Sequence, residues 1–145
     1  MQDRGSFYSW LAYLKNLSES LDVKYHYDIV GHIGYPSRYS SYDDKLLKYS
    51  DFPELLDEIL LKIIEKSKYL ELNSSTAGCA DFLPERNIVE RYVELGGKLF
   101  TFGSDAHSVE RYKHNCFEAE SFLNKYGVSL CNVDFGANGS CKKIK

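Results

Sequence analysis

The chain has no C-x-x-C pair: its four cysteines, Cys79, Cys116, Cys131 and Cys141, stand far apart. That spacing gives no support to a zinc ribbon or a thioredoxin-like redox motif. No long apolar run occurs either. The longest stretch, "ILLKII" at 59–64, is broken by Lys62 and is far short of the roughly 20 residues of a membrane span. The opening "MQDRGSFYSW" contains no apolar signal-peptide segment. Excess positive charge is absent as well. A net charge of −3 supplies no electrostatic reason to bind nucleic acid. No repeat, low-complexity tract or interdomain linker is visible. The expectation is therefore a cytoplasmic protein with reduced thiols and neither a membrane nor a nucleic-acid partner.

What is present suits one ordinary domain: 145 residues, 43% of them apolar. Phe7, Trp10, Leu11, Leu14, Leu17 and Leu21 recur at helical spacing and predict a helix over 6–21. "YHYDIVGH" (25–32) reads as a first strand, followed by a Ser- and Tyr-rich loop that is either a substrate wall or a plain connection. A helix is expected over 51–68, with Pro53 in its first turn and Asp51 and Glu54 at capping-box spacing. Its stripe is Leu56, Ile59, Leu60, Ile63 and Ile64. "YLELNSS" (69–75) is the second strand. A helix opened by Pro84 should stop at Gly96-Gly97. "KLFTFGSDAH" (98–107) is the third strand, and Ser108 is the expected cap of a helix reaching Tyr126. The tail has room for one or two short strands around Asn138-Gly139. Alternating strands and helices imply α/β units on a parallel sheet, with reactive residues where strands end.

A strand repeats every two residues. Leu99, Thr101, Gly103, Asp105 and His107 thus share one nominal face, while Phe100 and Phe102 share the other. Carboxylate and imidazole together suit a hard or borderline cation. The first strand ends in His32. The second presents Glu71 and Asn73 on one face and Leu70 and Leu72 on the other. Each feature has an ordinary alternative: a lone strand-end histidine is usually structural, Asp-x-His is a common tripeptide, and Glu71 is as readily a polar residue at a sheet end. His26 and His114 read as surface residues. The coincidence at three strand ends favours metal binding.

The segments "DIVGHIGYPSRY", "LELNSS" and "PERNIVERYVELGGKLFTFGSDAH" together resemble the C-terminal part of histidinol-phosphatases of the PHP (polymerase and histidinol phosphatase) superfamily. The resemblance implies a single partial PHP domain over residues 1–145. It would be the C-terminal half of a distorted (β/α)7 barrel, with about three parallel strands alternating with helices. It further implies hydrolysis of L-histidinol phosphate to L-histidinol and phosphate, in histidine biosynthesis. His32, Asp105 and His107 match metal ligands, Asp105 and His107 being catalytic, and Arg38 matches a group meeting the substrate phosphate. The cofactors implied are two or three divalent ions, Mn, Fe or Zn. The family's His-x-His strand and the first half of the barrel have no counterpart here, and Gly34 stands where the family commonly has Asp. The expectation is accordingly a fragment, poorly active alone, that self-associates or recruits an N-terminal barrel half. The alternatives are another PHP phosphoesterase acting on nucleotides, or a non-catalytic half-barrel that binds a metal or a partner.

Overall fold

A computed structural model describes residues 4–43, 46–132 and 142–143. Three α/β units form a parallel sheet: β1 (Ile29–Val30), β2 (Tyr69–Asn73) and β3 (Phe100–Gly103), in that order across the sheet. Tyr69 and Leu70 pair back to Ile29 and Val30, and residues 70–73 pair forward to 100–103. The helices are α1 (Arg4–Ser20), α2 (Pro53–Glu65), α3 (Arg86–Glu94) and α4 (Cys116–Asn124). Two short antiparallel strands, β4 (Cys131–Asn132) and β5 (Lys142–Lys143), close the description. The expected turn at Asn138-Gly139 lies outside the described residues.

Leu70, Leu72 and Phe100 are fully buried, on the side of the sheet that the helices cover. Leu56, Ile59, Leu60 and Ile63 of α2 join them in the core, as their helical spacing requires. α3 contributes Ile88, Val89 and Tyr92, whose ring meets Phe100 edge-on at 5.1 Å. α1 buries Trp10 and Leu14 and is fastened to α2 by polar contacts. Lys62 Nζ donates to Ser18 Oγ at 2.9 Å and to Asp22 Oδ2 at 2.8 Å. Between α2 and α3, Arg91 grips Asp57 through Nε at 2.8 Å and Nη2 at 2.7 Å, the forked geometry favoured by guanidinium and carboxylate.

Several expectations need correction. The first strand is two residues long, because the chain turns at Gly31 and His32 adopts φ 61°. Asp51 does not cap α2. It closes a preceding 3-10 turn, where its Oδ2 accepts from the Lys48 N–H at 3.2 Å, and Phe52 is the N-cap. No continuous helix runs from Ser108 to Tyr126. A three-residue 3-10 turn, Val109–Arg111, comes first, and α4 begins only after Lys113 and Asn115 take positive φ. Cys131 is disulfide-bonded rather than a free thiol. The sheet face away from the helices carries Glu71, Asn73 and Thr101 and is polar. A three-stranded sheet has two edges, and that of β3 is bridged through Phe100 to Leu130. Among the described residues, the open edge is that of β1.

Candidate metal and phosphate site

Asn73 ends the central strand and is 1% exposed. Its backbone exchanges two 2.8 Å hydrogen bonds with Leu83, so its side chain is aimed by a fixed main chain. Asn73 Oδ1 accepts from the Ser75 N–H at 2.8 Å. That backbone group can only donate, which leaves the amide nitrogen facing the other way. Nδ2 then donates to Asp105 Oδ2 at 2.9 Å and to Glu71 Oε1 at 3.0 Å.

His32 Nε2 lies 3.1 Å from the same Asp105 oxygen and 4.0 Å from Glu71 Oε1. Its ring stacks on Tyr35 at 4.4 Å, with 17° between the planes. Tyr35 OH accepts from Arg38 Nη1 at 2.9 Å, and the same nitrogen donates to Ser75 Oγ at 2.5 Å. The contacts close a ring: Arg38, Ser75, Asn73, Asp105, His32, Tyr35 and back to Arg38. Sequence neighbours cannot do this. Three strand ends and the 3-10 turn Tyr35–Arg38 contribute to it.

Two backbone features hold the ring. His32 and Asp105 adopt left-handed φ values of 61° and 46°, a conformation uncommon for non-glycine residues, though His and Asp enter it more readily than most. Tyr13 of α1 helps enforce the first, donating its hydroxyl to the His32 carbonyl at 2.7 Å. Burial pushes the Tyr13 hydroxyl up to about 12, so it stays protonated and remains a donor. Glu71 occupies a slot between two glycines. A Cβ on Gly31 would come 3.0 Å from Oε1, and one on Gly103 would come 2.5 Å from Oε2. Hydrogen in place of a methyl, just past the end of β1 and at the end of β3, is what admits the carboxylate.

Among the sequence candidates, His32, Asp105 and Arg38 thus meet in one connected site. His107 stands outside it. It is exposed and has no hydrogen-bond or ion-pair partner among the described residues. The cause is local: β3 stops at Gly103 and Asp105 is left-handed, so strand alternation does not continue to residue 107. No group of three His, Cys, Asp or Glu among the described residues is already arranged around a cation. His32 and Asp105 nevertheless suit a divalent ion. Two donors on a tetrahedral zinc stand about 3.4 Å apart, close to the 3.1 Å seen. Glu71 and Asn73 share the expected sheet face. The parts played by Tyr35, Ser75, Tyr13, Gly31 and Gly103 were not legible, since each depends on a contact across the fold.

No protein-family model matches the chain. A probable histidinol-phosphatase of Thermotoga maritima is 34% identical over 115 residues, covering 77% of this chain and 46% of that protein. One of Clostridium acetobutylicum is 33% identical over 99 residues, covering 66% and 38%. The histidinol-phosphatase of Lactococcus lactis subsp. lactis is 33% identical over 104 residues, covering 70% and 38%. The chain is a partial homologue of the histidinol-phosphatases. It spans less than half the length of these relatives. A crystal structure of the Lactococcus lactis histidinol phosphate phosphatase, complexed with Zn, L-histidinol and phosphate, matches this chain with a TM-score of 0.74. That match has 27% identity and covers 88% of this chain and 49% of the other. The chain therefore matches about one half of that molecule. Among the described residues no helix is long and apolar enough to cross a membrane.

Proposed function

We propose that this chain supplies the C-terminal half of a PHP-type barrel and, with it, part of a divalent-metal site that hydrolyses L-histidinol phosphate. The carrying observation is the closed ring that ties the His32–Asp105 pair to Arg38. It sets a metal-suited donor pair beside a phosphate-suited guanidinium. The similarity to histidinol-phosphatases, one of them complexed with Zn, L-histidinol and phosphate, supports the choice of substrate.

In this reading His32 Nε2 and Asp105 hold the cation, and His107, which lies outside the ring two residues further along the same exposed loop, turns inward to become the third donor when the cation binds. Zinc, manganese and iron all accept imidazole and carboxylate. A divalent cation lowers the pKa of bound water from about 15.7 to about 7, so hydroxide is available near neutrality. Arg38 has Nη1 committed to Tyr35 and Ser75. Its Nε and Nη2 have no partner among the described residues, and they are free to grip phosphate oxygens as a fork and offset charge gathering there. Stacking against Tyr35 fixes the His32 ring plane. The setting in this reading is cytoplasmic, and the partner is a barrel half that completes the ligand set.

A chimera tests the proposal. The Lactococcus lactis enzyme is rebuilt with this chain in place of its own C-terminal half and assayed for phosphate release from L-histidinol phosphate. Hydrolysis that falls by about two orders of magnitude or more in Asp105→Ala is the expected result. A folded, metal-loaded chimera that spares histidinol phosphate and instead cleaves nucleotides would overturn it.

A further inference from the structure

We infer that Asn73 is a positioning residue, whose side-chain amide sets Asp105 in place for cation binding. The inference rests on the proposal that Asp105 is a ligand, and it deepens that proposal. β2 and β3 deliver the two residues to the same end of the sheet, yet Asp105 lies two residues past the last residue of β3, in a left-handed conformation. The strand ladder therefore does not fix its side chain. What fixes it is the 2.9 Å bond from Asn73 Nδ2 to Oδ2.

Asn73 is itself completely tied. Its backbone N–H and carbonyl are both used by Leu83, its Oδ1 by Ser75 and its second amide proton by Glu71. Glu71 in turn lies in the slot left by Gly31 and Gly103, with its Oε1 accepting from Asn73. Of the available side chains, only a primary amide both accepts from Ser75 and donates twice to carboxylates. Aspartate in the same place would set a third acidic group among Glu71 and Asp105, with no proton to share. Partners that orient a ligand typically change metal affinity by about 10–100-fold when removed.

The test compares the full wild-type chain with Asn73→Ala and Asn73→Ser, neither of which retains an amide. Metal-free crystals report the His32 Nε2 to Asp105 Oδ2 separation, and titration with Co²⁺ reports affinity and the visible ligand-field bands. The variants should lose the 3.1 Å contact and bind Co²⁺ about 10–100-fold more weakly. Their bands should also shift while melting still shows a cooperative fold, which a purely structural residue would not produce. Wild-type Co²⁺ affinity and bands in a variant, with Asp105 unmoved, overturn the inference and leave the metal site standing. A wild type that binds no Co²⁺ overturns the metal site, and the crystals then decide the positioning on their own. Should both variants fail to fold, solvent exchange of the Asn73 side-chain amide protons in the wild type decides. Slow exchange of both supports the bracket, and rapid exchange of either contradicts it.

Discussion

Gly103 faces the Glu71 carboxylate so closely that a methyl group there would sit 2.5 Å from Oε2 and 3.4 Å from Asn73 Nδ2. Glu71 cannot swing aside without giving up the Asn73 amide. Gly103→Ala should therefore cost about 1–3 kcal/mol, as overpacking does, and turn Glu71 away from Asn73. Urea denaturation measures the first effect and a crystal structure of the variant the second. Unchanged stability with Glu71 in place would refute the slot. At this scale the sequence was partly readable. The period of two in "YLELNSS" separates Glu71 from the buried Leu70 and Leu72, but Asn73, on the face of Glu71, is buried as well. The period carried no sign that Asn73 bridges two carboxylates or that Ser75 anchors Arg38. His107 shows the opposite difficulty: it lies past the end of β3, in a loop where backbone conformation rather than alternation sets direction.

Among the elements, α2 and α3 illustrate what pattern alone reveals. The α2 stripe, and for α3 the glycine pair at 96–97, predicted them well, because core-facing periodicity and a glycine stop are properties of the helix itself. Boundaries set by local bonding were harder: Asp51 turns to the upstream Lys48 rather than to α2, and Ser108 precedes only a three-residue turn, with no side-chain capping bond. The same two helices carry a pH-dependent tie. Donation from Arg91 holds the Asp57 carboxyl below its ordinary 3.8. A lowered folded pKa means that the stabilisation is present above 3.8 and is lost as pH falls through the lower folded value. Asp57→Asn should thus be less stable than wild type at neutral pH. The gap should narrow as the solution is acidified below 3.8. Chemical denaturation of both proteins across that range checks it, and a gap independent of pH would contradict it.

For the whole molecule, the strand alternation and the parallel sheet were legible, while what lies beside the edge of β1 was not, since the pattern of one strand does not fix its neighbour. β1 pairs only with β2 among the described residues, and an open parallel edge favours association. Exposed Tyr25, Tyr39 and Phe117 add apolar surface. Gel filtration should show dimers or larger species in the absence of a partner half, and a clean monomer at all concentrations would count against it. The polar face of the sheet is the more consequential surface, because it carries the ring that joins Arg38 to His32 and Asp105. Whether that ring belongs to a metal centre is decided most directly by calorimetric titration of Zn²⁺ or Mn²⁺ into the wild-type chain, Asp105→Ala and His107→Ala. The account predicts saturable binding by the wild type, weakened about tenfold or more in each variant. Absence of binding by the wild type, or equal binding by all three proteins, would contradict it.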